Sequence, residues 1–387
     1  MKEFEDITTF ETALRANQVA CSVVQGLDLS EHAQQLREVR VTGSVFLGCR
    51  LPPDVMADVT SRGALVFPDL PEDLPFRPYR RQLYTPRELF DTFDPSDPHS
   101  YCGCLDARVY RHWEATGKGS PWSLLETLAR RLHDHAVTDA LEEFLATHER
   151  VVAIMGGHSM SRDDPAYRDV ARMSRTLTRK GYLLASGGGP GAMEATHLGA
   201  WFAPYEDDAL DDAIGVLSLA PTYRDLRWLA QAFLVLERWG ERGEGQWSLG
   251  IPTWFYGHEP PNPFATHIAK YFENSVREDG LVTIATHGIV FSPGNAGTIQ
   301  EIFQDATQNH YGVVGVVSPM VFFQKKFWTE VKPVYPLLRD LAKGRSYEGM
   351  LTIEDDPDAI VRFLENHPPV PSGESGWAFC RAFGVKG

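Results

Sequence analysis

From residue 148 onward this chain repeats one pattern: a short apolar run, a turn bearing glycines, then a stretch with helical periodicity. Val151-Val152-Ala153-Ile154-Met155 runs into Gly156-Gly157-His158-Ser159 and a helical pattern over Tyr167–Lys180. Tyr182-Leu183-Leu184-Ala185 runs into Gly187-Gly188-Gly189-Pro190-Gly191 and a helical pattern over Ala192–Gly199. Gly288-Ile289-Val290-Phe291 runs into Ser292-Pro293-Gly294-Asn295-Ala296-Gly297. Ile214–Leu219, Thr253–Tyr256 and Val313–Val317 read as further strands, and Thr329–Leu341 and Asp356–Glu365 as closing helices. Short wholly apolar strands alternating with helices imply βαβ crossovers, hence a mostly parallel sheet covered on both faces. Right-handed crossovers then bring the loops that follow the strands to one sheet edge, where ligands bind. The fold expected is doubly wound α/β, with an additional N-terminal α+β region.

Residues 1–147 have a different rhythm and form an expected accessory domain whose role the residues do not declare, ahead of the α/β domain over 148–387. Phe10–Arg15 is helical in pattern, Arg40–Leu47 alternates like a strand, and Pro52–Pro98 is rich in proline and aspartate. Trp122–Leu145 has helical period, with Leu124, Leu125, Leu128, Leu132, Val137, Leu141 and Phe144 as its apolar stripe. His133 and His135 on that helix read as surface or capping residues. Five cysteines (Cys21, Cys49, Cys102, Cys104 and Cys380) are too few for a disulfide framework. Cys102-Gly103-Cys104 lacks the second ligand pair of a zinc site, so no metal is expected.

The chain carries 37 basic and 52 acidic residues among 387, a net charge of −15. Such a surface repels phosphodiester backbones, which argues against a nucleic-acid partner. No run reaches the roughly 18 apolar residues of a membrane span. Met1-Lys2-Glu3-Phe4-Glu5-Asp6 places acids where a secretory leader needs a basic and then an apolar segment. A soluble, cytoplasmic protein with no membrane partner is expected.

The glycine loops carry the chemistry. A helix N-terminus presents unpaired N–H groups and partial positive charge, and glycine lets an anion approach the backbone closely. Gly187 to Ala192 matches the spacing of a dinucleotide fingerprint, but a complete strand–helix unit precedes it and Asp207 and Asp208 sit in the acidic run Glu206–Asp212, read as a solvated loop. A nicotinamide dehydrogenase is therefore unfavoured and no cofactor is expected. In the third loop Thr298 stands three residues before Glu301, a capping-box spacing that also puts a carboxyl on the first turns of a helix.

Gly187-Gly188-Gly189-Pro190-Gly191-Ala192-Met193-Glu194-Ala195, followed about 100 residues later by Pro293-Gly294-Asn295-Ala296-Gly297-Thr298-Ile299-Gln300-Glu301, resembles the LOG ("lonely guy") family. That family carries a GGG-x-x-G-x-M loop and a PGG-x-GT-x-x-E loop on a Rossmann-like sheet. It contains nucleoside 5′-monophosphate phosphoribohydrolases, often mislabelled lysine decarboxylases. The resemblance spans about residues 150 to 325. It implies Glu301 as the catalytic glutamate and Arg277, sixteen residues ahead of Pro293, as the catalytic arginine. Phosphate contacts are expected from Gly188, Gly189, Gly191, Gly294, Gly297 and Thr298; Ser159 on the first loop is a candidate nucleotide contact, and Met193 is either a nucleotide contact or a packing residue. By analogy the family implies a homo-oligomer. His158 is a candidate for acting on the base, or else a turn histidine with a local hydrogen bond. Two positions depart from the family pattern. Glu278 replaces a lysine, and Asn295 replaces a glycine, where asparagine's tolerance of positive φ would preserve the turn. A nucleotide sensor without turnover is the alternative function.

Overall fold

In the computed structural model, residues 2–67, 70, 74–240, 246–256 and 259–372 are described. The chain divides into two compact units, Met1–Leu83 with His112–Glu143, and Tyr84–Arg111 with Phe144–Gly387. Among the described residues Cys21, Cys49, Cys102 and Cys104 are free thiols, and Cys380 lies outside them.

The first unit is built on a four-stranded parallel sheet whose strands pair in chain order, β1 (Lys2–Phe4), β2 (Ser22–Gln25), β3 (Val45–Leu47) and β4 (Leu65–Phe67). The crossovers carry α1 (Ile7–Arg15), α2 (Ala33–Glu38) and α3 (Pro53–Ser61), each burying an apolar stripe that includes Phe10, Leu36 and Val59. Asp6 caps α1 by accepting the Thr9 N–H at 2.8 Å. The strands are three or four residues long, so the alternation over Arg40–Leu47 resolves into a strand only at its end.

Helices α4 (Pro86–Leu89), α5 (Leu105–Ala115) and α6 (Leu124–Leu145) follow. On α6 the face expected to be buried is reversed at its start. Leu124, Leu125 and Leu128 are exposed, while Ala129, His133, Ala136, Val137, Ala140 and Leu141 are buried. His133 is thus not a surface residue: its ring stands edge-on to Phe76 and its Nδ1 lies 3.0 Å from Asp134. The small alanines on that face let a polar ring enter the packing.

The second unit holds a seven-stranded sheet, parallel throughout its ladders. Its strands are β5 (Val151–Met155), β6 (Leu183–Ser186), β7 (Ser248–Gly250), β8 (His267–Ile268), β9 (Ile289–Phe291), β11 (Met320–Phe323) and β12 (Leu351–Glu354), while β10 (Val316–Val317) pairs separately with β13 (Val370–Pro371). The order is β12-β11-β9-β5-β6-β7-β8, so the chain winds outward from β5 to β8 and then returns to the other side of β5. This reversal is the doubly wound topology, and it leaves a crevice outside the carboxyl ends of β5 and β9. The helices are α7 (Pro165–Arg179), α8 (Ala192–Trp201), α9 (Asp207–Leu217), α10 (Trp228–Trp239), α11 (Asn274–Ile284), α12 (Ala296–Tyr311), α13 (Val334–Ala342) and α14 (Pro357–Asn366). Ile214–Leu217 is therefore helix rather than strand, with Ser218 and Leu219 in the turn that follows. The acids expected in a loop occupy the first turn of α9, where Asp207 and Asp208 complement the helix dipole. Thr253–Tyr256 contributes only an isolated bridge to Tyr271; within Val313–Val317 the strand is Val316–Val317, which pairs with β13, and the following Met320–Phe323 joins the seven-stranded sheet.

Segment 84–111 belongs to this unit through specific bonds. Tyr84 and Ile268 exchange backbone hydrogen bonds of 2.9 and 2.8 Å at the β8 edge. Asp106 accepts from the Trp254 indole at 2.9 Å and from the Tyr101 hydroxyl at 2.8 Å, and pairs with the buried Lys270 ammonium. Burial pushes the Lys270 pKa down, against the pull of Asp106.

A second buried pair positions the loops. Arg162, after β5, meets Glu194 on α8 through two parallel bonds, Nε to Oε2 at 2.8 Å and Nη2 to Oε1 at 2.6 Å. The remaining Nη1 donates to the carbonyls of Trp228 and Ala220, Tyr167 donates to Glu194, and the Trp228 ring lies 4.7 Å from the guanidinium. Between α7 and α8, Gly199 brings the backbones together: a Cβ there would fall 2.0 Å from the Ala171 carbonyl oxygen.

No helix among the described residues is long and apolar enough to cross a membrane. Removing one member of the Arg162–Glu194 pair strands a buried charge, so Glu194→Ala lowers the unfolding free energy by about 3–5 kcal/mol in urea titration. The double change Arg162→Met with Glu194→Leu recovers part of that loss.

Candidate functional site

The crevice at the strand reversal holds a cavity of about 400 Å³ lined from the loops after β5, β6 and β9 and from α11 and α12. The loop after β5 supplies Gly156, Gly157 and His158. The loop after β6 supplies Gly187, with Met193 from the first turn of α8. Helix α11 supplies Arg277 and Glu278, and α12 supplies Ala296, Gly297, Thr298 and Glu301, with Asn295 as its cap. Tyr256 and Glu259 complete the wall.

Glu301 and Arg277, widely separated in sequence, meet here. Arg277 Nη1 lies 3.4 Å from Glu301 Oε1, and Arg277 Nε donates to the Ile251 carbonyl at 3.0 Å, which fixes the guanidinium plane. Glu301 is only 7% exposed. Burial pushes its pKa up to about 7, Arg277 pulls the other way, and the nearby carboxylate of Glu278 adds to the rise. Glu278 is itself held by Gln300 on α12 and lies 3.9 Å from Arg277 Nη1. Gly187 is what admits this arrangement: a Cβ there would fall 2.6 Å from Arg277 Nη2 and 2.7 Å from Met193 Sδ.

The start of α12 faces the same cavity. Asn295 makes no side-chain cap, and Ile299 is the first helix residue whose N–H is bonded, to the Asn295 carbonyl. The N–H groups of Ala296, Gly297 and Thr298 have no intramolecular partner among the described residues, at the positive end of a sixteen-residue helix. Asn295 sits at φ −114°, so this turn needs no left-handed residue and the expected reason for tolerating asparagine does not apply. Its side chain instead accepts from Lys332 at 2.9 Å.

The other expected contacts are placed differently. Gly188 donates its N–H to Ser186 Oγ at 3.0 Å and takes φ +73°. Met193 folds over Gly189, whose Cβ would lie 3.0 Å from its methyl carbon. Gly191, at φ +71°, is packed so closely that a Cβ would fall 2.5 Å from the Gly157 carbonyl oxygen. Gly294 is occluded by the Thr298 side chain, and Ser159 is exposed on the loop. None of these five lines the cavity, whereas Gly297, Thr298, Met193, Arg277 and Glu301 do. Sequence reasoning missed Tyr256 and Glu259. They lie on an irregular segment without periodicity, and an aromatic near an acid was the only trace.

Glu301 gives the structure a distinct pH signature. Because its folded-state pKa lies above the usual 4.5, it favours the native state below that value and loses this contribution as pH rises through about 7. Wild-type stability measured against Glu301→Gln therefore declines between pH 4.5 and 7, by on the order of 3 kcal/mol at 1.36 kcal/mol per pKa unit. Paired thermal melts over that range check the sign.

No family model matches this chain, and no curated protein matches it. Among solved structures it is similar to the molybdenum cofactor binding protein of Rippkaea orientalis, at 12% identity and TM-score 0.37, over 57% of this chain and 98% of that one. It is similar to a structural-genomics target designated TM1055, at 19% identity and TM-score 0.37, over 56% of this chain and 99% of that one. It is similar also to the molybdenum cofactor carrier protein of Chlamydomonas reinhardtii, at 13% identity and TM-score 0.36, over 57% of this chain and 99% of that one. These likenesses assign no function to the chain.

Proposed function

We propose that the cleft hydrolyses the N-glycosidic bond of a nucleoside 5′-monophosphate, releasing free base and ribose 5-phosphate. The observation that carries this reading is a buried carboxyl with its pKa near 7, paired with one arginine in a cavity bordered by three unpaired backbone N–H groups. The N–H groups of Ala296, Gly297 and Thr298 take the phosphate oxygens. Arg277 supplies the side-chain cation, so phosphate binding energy holds the anomeric carbon beside Glu301. Cleavage builds positive charge on the ribose ring, which an ionised Glu301 stabilises while orienting the attacking water. The resemblance of the two loops to the phosphoribohydrolase family supports the same roles for Glu301 and Arg277. The reaction as proposed uses no cofactor.

One observation favours a second reading, a nucleotide sensor without turnover. Glu278 sits beside Arg277 and partly neutralises its charge. Incubation with a panel of nucleoside monophosphates, followed by chromatography for free base, separates the two. The glycosidase reading expects release from at least one monophosphate, a fall in kcat of about 10²- to 10⁴-fold in Glu301→Gln, and a KM rise of roughly tenfold or more in Arg277→Ala. Tight binding with no release from any monophosphate supports the sensor.

A further inference from the structure

On the cavity wall, apart from the Glu301–Arg277 pair, lies a second ionisable pair that this scheme leaves unused. His158 Nδ1 lies 3.0 Å from Glu259 Oε1, and both residues line the cavity. The imidazole packs edge-on against Tyr223 at 5.8 Å, and its Nε2 has no hydrogen-bond partner among the described residues. The backbone beneath it is pinned on both sides. Gly157 donates to the Pro293 carbonyl at 3.0 Å and accepts from the Ala192 N–H at 3.3 Å. Gly191, lacking a Cβ, lets the carbonyls of Gly157 and His158 pack against the start of α8. His158 therefore stands where all three glycine loops converge. Among the described residues the ring makes no local backbone hydrogen bond, and a carboxylate lies beside one of its nitrogens instead.

We propose that His158, oriented by Glu259, is the general acid that protonates the departing base; this rests on the glycosidase reading above. The Glu259 carboxylate beside Nδ1 orients the ring, with Nε2 as the nitrogen that gives up the proton. As the C1′–N bond breaks, its electron pair goes to the base, and the Nε2 proton passes to a base nitrogen so that the base departs neutral. Water adds to C1′ and its proton passes to the Glu301 carboxylate. Solvent carries that proton back to His158, and the sum is one water consumed per base and ribose 5-phosphate formed. Glu259 acts through His158 and is a positioning residue.

The test compares two substrates: a natural nucleoside monophosphate, and ribose 5-phosphate bearing a 4-nitrophenyl aglycone, which leaves without protonation. His158→Ala and His158→Asn, with folding verified by thermal melts, should lose kcat about 10²-fold or more on the natural substrate. Their loss on the activated substrate should be at least tenfold smaller, and Glu259→Gln should show the same selectivity with a lesser loss. Glu301→Gln should lose both activities together. Equal losses on both substrates in the His158 variants, or no loss on either, overturn the proposal. A wild-type protein that releases neither base nor 4-nitrophenol instead overturns the glycosidase reading, and this proposal falls with it by a different signature.

Discussion

The site depends on a fully buried ion pair that never touches the cavity. Arg162 and Glu194 are at most 1% exposed, and their two parallel bonds join the segment after β5 to the first turn of α8. Desolvating two such charges is unfavourable unless every donor and acceptor is satisfied. Here Tyr167 and the carbonyls of Trp228 and Ala220 complete the set. The pair is thus weak as a source of net stability but strong as a constraint on register. With Arg162 displaced, Glu194 has no partner of opposite charge, and the turn carrying Met193 loses its anchor.

That constraint places groups of opposing tendency in one small volume. Arg277 draws its neighbours toward ionisation, while burial and Glu278 oppose ionisation of Glu301. The backbone amides of α12 add positive potential without adding a titratable group. An anion entering the cavity therefore meets oriented dipoles, with much of the formal charge already balanced around it.

The central strands were legible because buried parallel strands read as unbroken apolar runs, and β5, β6 and β9 lie beside one another in the middle of the sheet. The family resemblance points to Glu301 and Arg277 as site residues, but their ion pair is legible only in the structure. Other errors have local physical causes. Ile214–Leu219 has the composition of a strand, and a short apolar run does not declare its period. Around Gly188, Gly189 and Gly191 the chain packs Ser186, Met193 and Gly157 closely, a tertiary arrangement the glycine spacing does not declare. Their smallness serves packing between loops. The short strands of the first unit fell below what alternation can reveal, and Glu259 sits on a segment with no pattern.

At Gly199 the two helices behind the β5 and β6 loops touch main chain to main chain, closer than any side chain would permit. Such a seam has no compliant layer in which to slide, so those helices translate together or not at all. Arg277 and the head of the 296–311 helix, across the crevice, ride on elements outside that seam.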